Sequence, residues 1–282
     1  MIIIASVFVA QTLFALLTPY IADRRSVNHE RLVQMDEKRK FESLSAEDKA
    51  IKRAEEYLVR NIQGVEAGNR LFLDYIQRKF QLDDILGTAE SPIVSPTDKR
   101  SYPQEYDYLE RLAYPEKLVS SPPNFSLEGP ALTNIYSANC DHLKTPRSFW
   151  ATMEDSNNHG GYNTTHVALA LMFIKDNGCD IPPGEGDLIM RVAQNMVVII
   201  NDKSTMPDLR YESVAFLLMI SRYDLIEPEW IDAIVSEQLP NGGWALEKDQ
   251  PANAHASLLA LWSLLEYKNP DKPYTPIIQH PA

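Results

Sequence analysis

A chain of 282 residues has room for one sizeable domain with an appendage, or for two small domains. Its 44% hydrophobic and 23% charged residues and only 11 glycines are the composition of a folded protein and exclude wholesale disorder. A formal net charge of −12, with no basic stripe interleaved with aromatics, excludes nucleic acid as a partner.

Residues 1–22 carry no charged side chain and are long enough to span a bilayer as a helix. A secretory signal is the rival, but no Lys or Arg precedes the apolar run. Tyr20 also stands where a cleavage site before Ala22 wants a small residue. The sequence therefore predicts a retained membrane anchor; cleavage would instead make the chain secreted or periplasmic. Arg24 and Arg25 follow at once, which by the positive-inside tendency leaves the bulk of the chain cytoplasmic.

Residues 23–86 are charged and rich in helix formers. Ser45 reads as an N-cap with acidic Asp48 three positions on, and Ile51, Ala54, Leu58 and Ile62 share one helical face. A second amphipathic helix carries Leu71, Phe72, Tyr75, Ile76 and Phe80. Residues 87–126 form a proline-rich linker region with a short helix, through Ser91-Pro92, Ser95-Pro96 and Tyr102-Pro103 to Pro122-Pro123. Residues 127–269 form the principal domain, and residues 270–282 a proline-rich tail.

Within that domain three segments look alike, beginning near His166, Glu212 and His255. Each has a polar residue at its start and then continues as a helix apolar on every side, the mark of a buried helix. The three polar residues stand 46 and 43 residues apart, the size of a helix-pair repeat. Amphipathic helices, roughly 185–201 and 229–238, lie between them. Alternation of buried and half-buried helices is what two concentric layers require, so the expected fold is all-α, a full or partial α/α toroid of inner and outer helices. An earlier inner helix begins near Glu128, with Pro130 tolerated in its first turn.

Cys140 and Cys179 form no Cys-x-x-Cys pair, which excludes a zinc ribbon or a dithiol redox motif. Both fall at C-terminal ends of successive inner helices and are expected to be near neighbours. They are either a disulfide, needing an oxidising compartment, or two buried thiols. The first alternative conflicts with the topology that Arg24 and Arg25 favour.

Parallel inner helices would bring His166, Glu212 and His255 to one mouth. Two imidazoles and a carboxylate suit zinc or another divalent ion with an open position. They equally suit metal-free acid/base chemistry, with Glu212 catalytic and Glu128 adding a second carboxylate. Tyr162, Tyr211 and Trp244 lie close by in sequence and are candidate aromatic walls for a small-molecule, glycan, peptide or lipid-linked ligand. The plainer alternative is that polar residues at helix starts satisfy orphan N–H groups. Asp141-His142 reads as a helix end, and His159 as a solvated turn residue. The two functions to weigh are thus a membrane-tethered enzyme, hydrolysing or eliminating, and a non-catalytic binding or scaffold module.

The run Gln238-Leu239-Pro240-Asn241-Gly242-Gly243-Trp244 resembles the Gln-Trp repeat of squalene and oxidosqualene cyclases, with Trp230 preceding it at a suitable distance. Asp155 to Tyr162 looks like a degenerate copy. Similar turns occur across the terpenoid-cyclase and protein-prenyltransferase superfamily, and the resemblance covers roughly 128–267. It implies a toroid in which Trp244 plugs the gap between helix pairs and Gln238 caps a neighbouring helix. The Asp-x-Asp-Asp run of hopene cyclases, the Cys-His-Gly signature of lanthionine cyclases and the prenyltransferase ligand set are absent, so none of those activities is implied.

Overall fold

The computed structural model describes residues 39, 41–62, 65–82, 85, 87, 107–123, 129–182, 184 and 186–280. The expected anchor at 1–22, Arg24, Arg25 and Glu128 lie outside them. Among the described residues no helix is long and apolar enough to cross a membrane. The chain divides into two units, Met1–Lys49 and Ala50–Ala282.

In the first unit, the Asp48 N–H donates to Ser45 Oγ (3.1 Å) and the Ser45 hydroxyl donates to Asp48 Oδ2 (2.8 Å). This N-cap starts α1, Ala46–Asn61, at the position its sequence signals.

Among its described residues the second unit is all-α apart from one two-residue pairing. After α1 comes α2, Ala67–Phe80, then a 3-10 turn at Glu110–Leu112. The domain continues as α3 (Gly129–Ala138), α4 (Phe149–His159), α5 (Tyr162–Asp176), α6 (Leu188–Asn201), α7 (Pro207–Met219), α8 (Pro228–Ser236) and α9 (Ala254–Lys268). Between α8 and α9 the strands β1 (Trp244–Ala245) and β2 (Ala252–Asn253) pair antiparallel, Trp244 opposite Asn253.

Helices α5, α7 and α9 are buried along nearly their whole length, Val167–Ile174, Asp208–Met219 except Arg210, and Ala256–Glu266. The reason is compositional: with apolar side chains all round, each loses water on every face, roughly 1.5–3 kcal/mol for each large residue buried. By contrast α6 buries Leu188, Val192, Ala193, Met196 and Ile199 on one stripe and leaves Val198 68% exposed. In the packing, α3 lies against α5, α5 against α7, α7 against α9 and α9 against α2, while α4, α6 and α8 lie against these.

Segment 155–159, expected as part of a turn, is instead the last turn of α4; only Gly160-Gly161 form the turn. At Gln238–Trp244 the paired glycines do form a tight turn, but Gln238 bonds a carbonyl inside α1 and does not cap a helix end. Gly242 has φ +94°, and a Cβ there would lie 2.4 Å from Arg53 O. At Gly243 a Cβ would meet Ala252, Ser257 and Tyr57 within 2.9 Å. Gln238 Nε2 donates to Ala50 O (2.8 Å) and Gly242 O (2.9 Å), and Arg53 donates to Leu239 O and Pro240 O, so the turn is clamped to α1. Trp244 is fully buried, its indole N–H donating to Ile234 O of α8 (2.6 Å) and its backbone N–H to Ser257 Oγ of α9 (2.8 Å).

Two regions expected to be linker and tail carry buried structure. Arg111, fully buried, donates to both oxygens of Asp141 (2.6 and 3.0 Å) and to Ala138 O. Burial alone would raise the Asp141 carboxyl, but the guanidinium holds it below its ordinary pKa. The segment from Tyr274 to His280 runs from α2 to α5. Arg78 donates to Pro276 O and Ile277 O, Asp176 accepts the N–H groups of Ile277 and Ile278, and both isoleucines are buried. Nearby, Lys79 of α2 and Glu266 of α9 form a 2.6 Å ion pair that is almost wholly buried. Cys140 and Cys179 are joined as a disulfide, with Cα atoms 6.3 Å apart.

Candidate functional site

The N-terminal ends of α2, α5, α7 and α9 meet in a connected set of polar side chains. It starts at Asn69, the third residue of α2, whose Oδ1 lies 2.7 Å from His255 Nδ1. A carbonyl oxygen only accepts, so with the amide so oriented Nδ1 carries the proton and Nε2 is left as an acceptor. His255 is the second residue of α9, and the N-cap Asn253 fixes its backbone by accepting its N–H at 2.7 Å.

His255 acts electrostatically on Glu212, the sixth residue of α7, which is 6% exposed. Burial, opposed by the Thr165 hydroxyl and by His255 and aided by the charge of Asp208, pushes Glu212 up to about 7 from 4.5. The Thr165 hydroxyl also bonds Tyr162 O at 3.0 Å. It has one proton to give: towards the carboxylate when Glu212 is ionised, towards Tyr162 O when Glu212 is protonated and itself donates. One turn earlier on α7, Asp208 is 1% exposed. It accepts from the Tyr162 hydroxyl at 2.5 Å through Oδ2, while Oδ1 has no partner. Burial first, and then the Asp208 charge, raise the Tyr162 phenol well above its ordinary value.

Of the residues the sequence singles out, Glu212 and His255 are brought together. His166 takes a different role: its Nδ1 lies 2.7 Å from Tyr162 O of its own helix, and burial lowers its pKa. Among the described residues no group of three or more His, Cys, Asp or Glu is gathered to hold a metal ion. His166, Glu212 and His255 are the fifth, sixth and second residues of their helices, so equal spacing along the chain does not put His255 level with the other two.

Tyr162 lies in the cluster as a hydrogen-bond donor. Tyr211 points to the other side of α7, its hydroxyl donating to Glu237 Oε2 (2.6 Å) beside the Arg210–Glu237 ion pair (3.0 Å), where it lines a cavity of about 800 Å³. Trp244 has no free face and serves as the plug between α8 and α9. Asp141 is held by Arg111 at helix C-termini, and His159 is exposed at the end of α4.

Asp208, Asn69 and Thr165 were not singled out by the sequence. A signal for Asp208 exists: Pro207 marks the start of α7, which puts Asp208 and Glu212 four apart on one face. Chemically the cluster offers a carboxyl raised by burial to about 7, an imidazole beside it whose Nδ1 is engaged by Asn69, and a phenol–carboxylate pair next to them. Comparison of the chain with family models, with curated proteins and with solved structures returns no match.

Proposed function

We propose that this is a membrane-tethered enzyme of the α/α-toroid kind, resembling the terpenoid-cyclase and prenyltransferase superfamily in architecture and not in chemistry. In this reading α2, α3, α5, α7 and α9 are the inner helices, and their shared N-terminal mouth is the active site. Glu212 is the general acid/base, with His255 its proton partner and Asp208–Tyr162 the second polar arm. The reaction is a hydrolysis or an elimination, both of which need one group to take a proton and another to return it.

The observation that carries the reading is the state of Glu212. A carboxyl buried beside a second carboxylate, with a pKa of about 7, is poorly suited to holding a fold together and well suited to moving protons at neutral pH. The Cys140–Cys179 disulfide supports an oxidising compartment for the domain, the side of the membrane opposite to that favoured by Arg24 and Arg25.

The test is a carbon-13 titration of side-chain carboxyls in the full chain, with Glu212 assigned from the Glu212→Gln spectrum. Glu212 is expected to titrate near pH 7. A midpoint at the ordinary glutamate value would end the acid/base reading and leave the binding-module alternative.

A further inference from the structure

The cavity of about 800 Å³ beside α7 is separate from the polar cluster yet built on the same helix turns. Its walls are the segment Lys203–Pro207, which leads into α7, and the β1–β2 connection from Ala245 to Gln250, with Arg210, Tyr211 and Glu237 behind them. Its volume is that of a site for a ligand of several rings. Pro207, Arg210 and Tyr211, three and four residues apart, face the cavity, while Asp208 and Glu212 lie about 100° round the helix on the neighbouring face. Glu247 connects the two faces: it lines the cavity, and its charge also acts on the Tyr162 hydroxyl of the cluster.

The charges of the wall cancel. Lys203, Arg210 and Lys248 stand against Glu237, Glu247 and Asp249, and Arg210 with Glu237 already forms an ion pair. A polyanion or a polycation therefore finds as much repulsion as attraction there. What the wall offers is donors and acceptors in similar number, with Thr205 and Gln250 supplying both in one side chain. The larger share of the exposed wall is apolar, made by Met206, Pro207, Tyr211, Leu239 and Ala245 and the stems of the longer side chains, interrupted by these polar groups. The loop that presents Thr205 is pre-ordered, because Asp202 accepts the N–H and hydroxyl of Ser204 and the Thr205 N–H donates to the Asp202 carbonyl.

We propose that this cavity is a subsite for an uncharged, polyhydroxylated ligand, a stretch of neutral glycan, lying across α7 with its reacting bond towards Asp208 and Glu212. Hydroxyl groups both donate and accept, which matches a wall of mixed sign and no net charge, and short apolar patches match the C–H faces of sugar rings. The position of the reacting bond rests on the acid/base reading above; the binding itself does not.

The experiment is calorimetry on the full chain in detergent with malto-, cello-, xylo- and chito-tetraose as neutral probes. A tetragalacturonate, a tetraglucosamine and tetra-alanine are the charged and peptide probes. At least one neutral tetrasaccharide is expected to bind with Kd below about 1 mM, and to lose about tenfold or more in Thr205→Trp and Lys248→Trp, which fill the cavity from half-buried and exposed positions. The proposal is overturned if no neutral saccharide binds, if a charged or peptide probe binds more tightly, or if variants with unchanged melting bind as well as the parent. A bound saccharide that is never turned over would instead count against the acid/base reading and leave the subsite standing.

Discussion

Replacing Glu212 by glutamine keeps the shape and the hydrogen-bonding oxygen of the side chain and removes its charge, so it isolates the cost of burying a carboxylate. The folded carboxyl is raised to about 7 from 4.5, and below 4.5 it is protonated in folded and unfolded chains alike. Between those values the folded protein holds a proton that the unfolded chain has released, so stability falls as pH rises through the window. At about 1.36 kcal/mol per pH unit, the full loss is roughly 3 kcal/mol, reached above pH 7. Glu212→Gln has nothing to lose. Its stability should match that of the parent near pH 4 and exceed it by up to roughly 3 kcal/mol at pH 8.5, a rise in melting midpoint of about 6–12 °C for a domain of this size. Guanidinium titrations of both proteins at pH 4.5, 6.5 and 8.5, followed by tryptophan fluorescence, measure the difference. Parallel pH profiles, or a glutamine variant less stable at pH 8.5, would refute the idea that a charge is being forced into the helix mouth.

The other predictions concern the frame that holds this mouth. Trp244→Ala empties the plug between α8 and α9 and should cost about 3–5 kcal/mol by thermal unfolding, whereas an unchanged midpoint would return Trp244 to the list of ligand walls. Lys79→Met leaves Glu266 buried without its cation and should cost about 3–5 kcal/mol, with much of that recovered in the double variant Lys79→Met/Glu266→Gln. If the double variant is no better than the single, the loss is one of packing and not of charge. Reducing the Cys140–Cys179 bond, which closes a 39-residue separation, should lower stability by about 4 kcal/mol in denaturant titrations with and without reductant. Identical midpoints would mean the cross-link is not present in the folded protein.

The three long buried helices could be read from the chain because their apolar residues run round every face, a pattern that no surface helix shows. The tight turn at Gly242-Gly243 and the burial of Trp244 were equally legible, since paired glycines before an aromatic leave few alternatives for the backbone, whereas the clamp onto α1 was not. The site was legible only in part. Lining up His166, Glu212 and His255 by spacing treats each repeat as equal in length, but a paired strand segment intervenes between Trp244 and α9, whereas Tyr162 opens α5 directly. The helix start, set by Gly161, Pro207 and Asn253, decides which side chains share a height. Counted from those starts, His255 belongs with Asp208 and not with His166. Asp208 escaped notice because an acidic residue in a first turn is ordinarily solvated and favoured there by the helix dipole. Only tertiary packing, which puts Tyr162 against it, makes it a buried group. Arg111 and the Tyr274–His280 segment were hidden for a related reason: proline-rich stretches lack periodicity, and their burial is decided by distant partners.

That last segment has a consequence for how the molecule comes to be folded. Arg78 reaches forward nearly two hundred residues to Pro276 and Ile277, Lys79 to Glu266, and Arg53 to Leu239. Helices α1 and α2 therefore hold few of their partners until the far end of the chain exists. Contacts of such separation raise the contact order and slow folding well below what helical content alone would predict, because the loop must close before any of its contacts repay the lost entropy. During synthesis this keeps the early helices uncommitted until the far end of the chain is made.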